Sequence, residues 1–181
     1  MKTPKPRFDV VGQLGSLRRY ARSLTRNDAD AEDLVQDTLL RAYERRGGFR
    51  HGNTLRGWLL SILHNRFIDI KRASAADART IEAAYSLTEP TIDAPQEHSV
   101  RLAQVRDAFF ALPEEQRSAL HLVAIEGLSY EEAARTLNIP MGTLMSRIGR
   151  ARTMLRAQES ERQPDKAGHL KIVGGRDDRS D

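Results

Sequence analysis

Cysteine is absent from all 181 residues. That excludes a disulfide scaffold, a thiolate metal site of the zinc-finger kind and a cysteine nucleophile, and makes a reducing intracellular compartment the expected setting. Long apolar runs are missing too: no window holds the roughly 18 uninterrupted apolar residues of a membrane span, and mean hydropathy is −0.56. Met1 to Arg7 is basic and carries Pro4 and Pro6, but no apolar segment follows as in a signal peptide. A cytoplasmic protein without membrane insertion is therefore expected. No alternating apolar and polar run bounded by turn residues occurs, so no strand is assigned, and no internal repeat is evident. The histidines (His51, His64, His98, His121, His169) are scattered. With no His-Glu-x-x-His pair, Gly-rich phosphate loop or triad spacing, the sequence offers no case for an enzyme, a metal site, a cofactor or a small-molecule substrate.

What is present is charge, unevenly placed. Lys and Arg number 29 against 25 Asp and Glu, for a formal net charge of +4. Asp28, Asp30, Glu32, Asp33 and Asp37 form an acidic block without a base. Arg41, Arg45, Arg46, Arg50, Arg56, Arg66, Lys71 and Arg72 then face only Glu44 and Asp69. Between Ser74 and Ser99 the balance returns to acid, with Pro90 and Pro95 and no sustained apolar period, which reads as a linker. Helical periodicity resumes near Val100 and continues to about Leu155, and the remainder to Asp181 is polar and mixed in charge, as expected of a disordered tail. The expected architecture is all-α, with helical domains over 8–73 and 100–157, an acidic flexible linker over 74–99 and a tail over 158–181.

In the first unit, Ala31, Leu34, Val35, Thr38, Leu39 and Ala42 follow the spacing of one buried helix face between Ala31 and Glu44. The opposite face carries Asp33, Gln36, Asp37, Leu40 and Glu44, an acidic surface with one leucine on it. From the residues alone it is either a solvated face or a docking surface for a basic partner helix. A second helix is expected from Leu55 to Arg72, with Trp58, Leu59, Ile62, Leu63, Phe67 and Ile70 inward and Ser61, His64, Asn65, Ile68, Lys71 and Arg72 outward. Before it, Phe49-Arg50-His51-Gly52-Asn53-Thr54 is a polar loop whose amide, imidazole and hydroxyl groups suit base edges, or whose Asn53 or Thr54 simply caps the helix.

The second unit gives a stronger signal. Ser129 and Glu132 are spaced as a capping box, so a helix opens there and ends near Asn138. Pro140 and Gly142 are read as a break, and a further helix runs through Arg156 with Leu144, Ile148, Ala151 and Leu155 inward. This is helix-turn-helix spacing. The outer face presents Met145, Ser146, Arg147, Gly149, Arg150, Arg152 and Thr153, with no acid from Met145 to Arg156. Arginine can pair bidentately with guanine, serine with several bases and methionine with a thymine methyl, while further arginines neutralise phosphate.

Taken in order, Asp30-Ala31-Glu32-Asp33-Leu34-Val35-Gln36-Asp37-Thr38-Leu39-Leu40-Arg41-Ala42-Tyr43, Phe49-Arg50, Arg56-Gly57-Trp58-Leu59, Leu112-Pro113-Glu114-Glu115-Gln116-Arg117, Glu126-Gly127-Leu128-Ser129-Tyr130-Glu131-Glu132-Ala133-Ala134 and Pro140-Met141-Gly142-Thr143-Leu144-Met145-Ser146-Arg147 resemble the extracytoplasmic-function (group 4) sigma factors of bacterial RNA polymerase. The resemblance covers about residues 10 to 157. It implies a sigma-2-like bundle and a sigma-4-like helix-turn-helix domain, and a protein that binds core polymerase and directs initiation to chosen promoters. By it, Asp33, Gln36, Asp37 and Leu40 dock on the β′ clamp helices, and the β flap is a further part of core polymerase that the chain meets. The loop His51, Gly52, Asn53 and Thr54 captures a base flipped from the −10 strand, and Asn65, Arg66, Lys71 and Arg72 contact that strand. Thr143, Met145, Ser146, Arg147, Gly149, Arg150 and Arg152 read the −35 duplex. The family often has a basic residue where Met145 stands and a larger one where Gly149 stands. The acidic linker resembles the segment that threads the polymerase channel, and an anti-sigma factor is an implied partner. The isolated chain is expected to bind promoter duplex poorly, because its domains pack together or an anti-sigma factor clamps them. Two alternatives stand beside this reading: a sigma-like mimic that sequesters an anti-sigma factor, and a free-standing helix-turn-helix regulator.

Overall fold

The computed structural model describes residues 9–49, 54–78 and 97–162. Helices α1 (Leu14–Thr25), α2 (Asp28–Glu44) and α3 (Leu55–Ala78) form the N-terminal half. Helices α4 (Glu97–Ala111), α5 (Glu114–Leu120), α6 (Tyr130–Leu137) and α7 (Met141–Arg162) form the C-terminal half, with a π-turn at His121–Ile125 between α5 and α6. Among the described residues there is no strand, as expected for an all-α chain.

Helix α1 stands where no element was assigned, although its signal is plain. Leu17, Tyr20, Ala21 and Leu24 recur at helical spacing and are no more than 4% exposed. The α2 helix begins earlier than the apolar period suggested, because Asn27 caps it: its side-chain oxygen accepts from the amides of Ala29 and Asp30 at 2.8 and 3.1 Å. Asp28 and Asp30 in that first turn complement the positive end of the helix dipole.

Helix α3 packs on both α1 and α2 and also on α6, so its buried arc is wider than a single apolar stripe. Leu60 joins Leu59 and Leu63 in the core. His64, expected to face outward, is instead turned inward, its Nδ1 3.0 Å from the Tyr20 hydroxyl. Ile70, expected inward, is 41% exposed because it lies beyond the turns of α3 that other helices cover. The helix also continues to Ala78 rather than ending at Arg72, through an alanine-rich stretch of strong helix formers. At the far end, α7 runs to Arg162, so the first residues assigned to a disordered tail are helical, and Arg101 of α4 reaches Glu159 there at 3.9 Å. Helix α4 starts at Glu97, within the span assigned to the linker. Of that linker, residues 79–96 lie outside the described residues, as does the chain after 162.

The helix-turn-helix forms as its residues dictate. Ser129 accepts from the Glu132 amide at 3.2 Å while Glu132 accepts from the Ser129 amide at 3.0 Å, closing the capping box. Asn138 ends α6 at φ 52, a left-handed cap that asparagine tolerates. Pro140 then initiates α7 by accepting the Leu144 amide at 3.1 Å. Gly142 therefore breaks nothing and sits in the first turn of α7. Leu144, Ile148 and Ala151 are at most 2% exposed, which fixes the opposite face of α7 toward solvent.

The two halves are in contact. One apolar cluster runs from Leu17, Leu34 and Leu63 to Leu122, Ala133 and Leu144, and α1 meets α5 and the π-turn while α3 meets α6.

Candidate nucleic-acid interface

On α2, Asp33 and Gln36 are exposed, Leu40 is 65% exposed and Tyr43 follows one turn later at 62%. Spacings of three and four place Asp33, Gln36, Asp37 and Leu40 on one helix face, opposite the core residues Leu34, Val35 and Thr38. An exposed leucine on an acidic face gives a basic partner helix both an apolar anchor and charge complementarity. Asp37 is not free, however: Arg66 of α3 donates to it at 2.7 Å, so the structure joins a residue expected to dock polymerase to one expected to touch DNA.

His51, Gly52 and Asn53 lie outside the described residues. Thr54 is described and does two things. Its hydroxyl oxygen accepts the Gly57 amide at 3.2 Å, which caps α3, and the same hydroxyl donates to Glu132 of α6 at 3.0 Å. A Cβ at Gly57 would come within 3.0 Å of that hydroxyl, so glycine there leaves room for the cap. Thr54, Gly57, Trp58, Ser61, Glu132 and Arg135 wall a cleft of about 170 Å³ between α3 and α6. Trp58 is half-buried in it, with the Phe49 ring 5.3 Å away. Further along α3, Asn65 and Arg72 are exposed, while Lys71 pairs with Glu114 of α5 at 2.7 Å.

The outer face of α7 is open. Met145, Ser146, Gly149, Arg150 and Arg152 are all exposed, and neither Arg150 nor Arg152 has an ion pair among the described residues. Arg147 differs from its neighbours: its side chain is only 20% exposed and binds Glu115 at 2.7 Å. Thr143 is half-buried, and its carbonyl accepts the Ser146 hydroxyl at 2.9 Å. Among the described residues, the arginines expected on the reading face thus split into two without an ion pair and one held against α5.

Several residues that matter here were not singled out from the sequence. Glu126 follows the π-turn, its amide donating back to the His121 carbonyl at 3.0 Å, and Gly127 at φ 68 then turns the chain into α6. The turn drives the Glu126 carboxylate, 1% exposed, toward α1, where it accepts from the Ser16 hydroxyl and from Arg19 at 3.1 Å. His121 Nε2 lies 3.2 Å from it within its own half, and Arg56 donates to the Glu126 carbonyl at 3.1 Å. Burial works to raise the pKa of Glu126, but the hydrogen bonds from His121, Ser16 and Arg19 and the Arg19 charge outweigh it and hold the carboxyl at about 2. Arg117, 2% exposed, donates to the Ser23 carbonyl of α1 at 2.7 Å and to the Leu112 carbonyl at 2.8 Å. Its pKa falls to about 10 through burial and the nearby Arg26 charge.

Comparison with known proteins follows this division. A family profile described as Sigma-70 region 2 matches residues 12–76, and one described as Sigma-70, region 4 matches residues 102–155. The chain is 37% identical over 155 residues to the ECF RNA polymerase sigma factor EcfG of Rhodopseudomonas palustris, covering 86% of this chain and 85% of that protein. It is 35% identical over 140 residues to the ECF RNA polymerase sigma factor SigM of Mycobacterium tuberculosis, covering 77% and 69%. Among solved structures, the sigma factor RpoE in complex with the anti-sigma factor NepR from Bartonella quintana matches with a TM-score of 0.73 and 33% identity, over 84% of this chain and 94% of that one. CnrH in complex with the cytosolic domain of CnrY matches with a TM-score of 0.60 and 28% identity, over 84% and 85%.

Proposed function

Because the chain belongs to the extracytoplasmic-function RNA polymerase sigma factors of the sigma-70 family, we propose a division of labour among its residues in promoter-specific initiation. The family is one of transcription initiation factors. In our reading the chain supplies no catalytic residue, works in the bacterial cytoplasm and leaves nucleotide chemistry to core polymerase. Asp33, Gln36, Asp37 and Leu40 form the surface for the β′ clamp helices. The loop from His51 to Thr54, with Asn65, Arg66, Lys71 and Arg72, takes the melted −10 strand. On α7, Met145, Ser146, Gly149 and Arg150 face the −35 bases, Arg152 faces phosphate, and Thr143 and Arg147 flank them. The first domain comprises α1 to α3, ending at Ala78, and the second α4 to α7, from Glu97 to Arg162. RpoE of Bartonella quintana is in complex with the anti-sigma factor NepR, and we assign a partner of that kind to this chain.

The observation that carries this reading is α7. Its apolar side is buried to 2% or less at Leu144, Ile148 and Ala151, which forces Arg150 and Arg152 outward unpaired among the described residues, as a helix entering the major groove requires. An acidic, leucine-bearing face on α2 is of no use to a free-standing DNA-binding regulator, which favours the polymerase-bound reading over that alternative.

The test is co-elution of the purified chain with bacterial core RNA polymerase on a sizing column. Stoichiometric co-elution is expected, and its loss in an Asp33→Lys, Asp37→Lys double variant that stays folded. Failure of the unmodified chain to co-elute, with anti-sigma factor excluded, refutes the assignment.

A further inference from the structure

Arg147 is the exception among the arginines expected on the outer side of α7. Arg150 and Arg152 are exposed and have no ion pair among the described residues, whereas the Arg147 side chain is 20% exposed and its Nη2 lies 2.7 Å from Glu115 Oε2. Helix geometry accounts for the difference. Arg147 stands three residues after Leu144 and four before Ala151, both buried, so it borders the stripe that α7 packs inward. That border meets α5, which packs directly on α7. Arg150 follows Arg147 by three residues and lies further round, on the open side.

The pair is lopsided. Glu115 sits in the first turn of α5 with its side chain 69% exposed, so the carboxylate is the outer member and the guanidinium the inner one. The adjacent Glu114 turns to Lys71 of α3 at 2.7 Å, which leaves Glu115 as the acid of that turn given to α7. A guanidinium already neutralised by a carboxylate must lose that partner before it takes a phosphate, and while it is held it displaces no counterion from DNA. The carboxylate itself repels phosphate. Both effects act on the sugar-phosphate backbone, which is the same in every sequence.

Resting on the assignment of α7 to the −35 duplex, we propose that Glu115 is a positioning residue of that contact: it holds Arg147 against α5 and off the DNA, leaving base choice to Met145, Ser146 and Arg150. Arg147 is then a withheld phosphate contact. Withholding it lowers the sequence-independent part of the affinity and leaves the sequence-dependent part intact. A factor that must find promoters among about 10⁶ or more competing sites is served by that division, since any uniform gain also strengthens its hold on non-promoter DNA.

The test uses holoenzyme assembled from the full chain and bacterial core polymerase, on a promoter library randomised over the −35 element, at salt between about 50 and 200 mM. Glu115→Ala removes both the charge and the acceptor. It is expected to tighten binding to every member of the library and to steepen the slope of log affinity against log salt by about 0.9, so that its advantage over the parent shrinks about three- to fourfold across that salt range. The order of preference among −35 sequences is expected to stay as in the parent. Adding Arg147→Gln is expected to abolish the gain, which a merely structural role for the pair would not do. Glu115 is exposed, so the variant is expected to fold as the parent does, and circular dichroism checks it. An unchanged slope in Glu115→Ala overturns the proposal, and so does a loss confined to particular −35 bases, which would make Arg147 a reader that Glu115 aims. Arg150→Ala in the same library tests the underlying assignment separately: if α7 does not meet the −35 duplex, this variant too leaves the preference unchanged, whereas failure of the proposal alone leaves the Arg150→Ala effect in place.

Discussion

Replacing Arg117 with alanine isolates what one buried guanidinium does for the whole assembly. Its Nε donates to the Ser23 carbonyl at 2.7 Å and its Nη1 to the Leu112 carbonyl at 2.8 Å, with a longer contact of 3.4 Å to Phe110. The Phe110 carbonyl keeps a donor in any case, because Arg26 reaches it at 2.6 Å. Ser23 lies in the last turn of α1, where carbonyls lack helical partners, so Arg117 acts as a cap supplied from the other half. Alanine therefore strands two carbonyls, each costing about 1 to 3 kcal/mol, and leaves a cavity where the side chain lay. The expected loss is about 3 to 5 kcal/mol, in the range for breaking a buried charged network. At about 2 to 4 °C per kcal/mol for a chain of this size, the thermal midpoint drops by roughly 10 °C. Urea titration followed by circular dichroism reads the loss, with Arg152→Ala, an exposed site, expected to change stability by no more than about 0.5 kcal/mol. A loss below about 1 kcal/mol for Arg117→Ala would refute the reasoning.

Three other outcomes are expected. Burial lowers the His64 pKa to about 4 from its ordinary 6.5, so the folded chain binds fewer protons than the unfolded one between those values, and stability falls as pH drops through that window. The full effect is up to about 3 kcal/mol; urea midpoints at pH 7.5 and 5 should differ for the parent and converge for His64→Gln, whereas the Glu126 contribution, set by a carboxyl near 2, is present above 4.5 and is lost only as pH falls below that toward 2. In promoter binding by the holoenzyme, Arg150→Ala should cost about 1 to 3 kcal/mol at particular −35 positions, whereas Arg152→Ala should weaken all sequences alike and lower the salt slope by about one; indistinguishable profiles across a promoter library would overturn the division of roles. At Gly149 a Cβ meets nothing within 4 Å, so Gly149→Ala should stabilise α7 by about 0.5 to 1 kcal/mol in denaturation while altering −35 preference, and a destabilised variant would contradict the open surface described.

Periodicity revealed most of the helices because each has one buried face: Leu34, Val35 and Thr38 in α2, and Leu144, Ile148 and Ala151 in α7, were placed correctly from spacing alone. It misplaced His64 because α3 has three neighbours, and an arc that wide includes positions that a single stripe would leave outside, and it misplaced Ile70 because a stripe does not say where along α3 the neighbouring helices stop covering it. Helix ends after Arg72 and Arg156 were set too early, since acidic or mixed-charge composition says where a core stops but not where a helix of alanine, glutamine and glutamate stops. The exposed face of α7 was legible because Leu144, Ile148 and Ala151 fix its opposite side by local spacing. The contacts between the halves were not, because each pairs residues far apart in sequence, such as Arg19 with Glu126 and Arg56 with its carbonyl.

Glu132 shows why a correct local reading leaves tertiary consequences hidden. A capping box uses one carboxylate oxygen, here Oε2, for the Ser129 amide. The second oxygen is left over, and Oε1 takes the Thr54 hydroxyl from the other half. The hydrogen bonds from Ser129 and Thr54 together hold the Glu132 carboxyl below its ordinary pKa, so it stays an acceptor across the physiological range. The same side chain therefore starts the helix-turn-helix and engages a hydroxyl of the other half. Opening the halves costs only the second of these functions, because the cap is internal to the C-terminal half. Such an arrangement makes the shape of the helix-turn-helix independent of the contact that its capping residue makes with the other half.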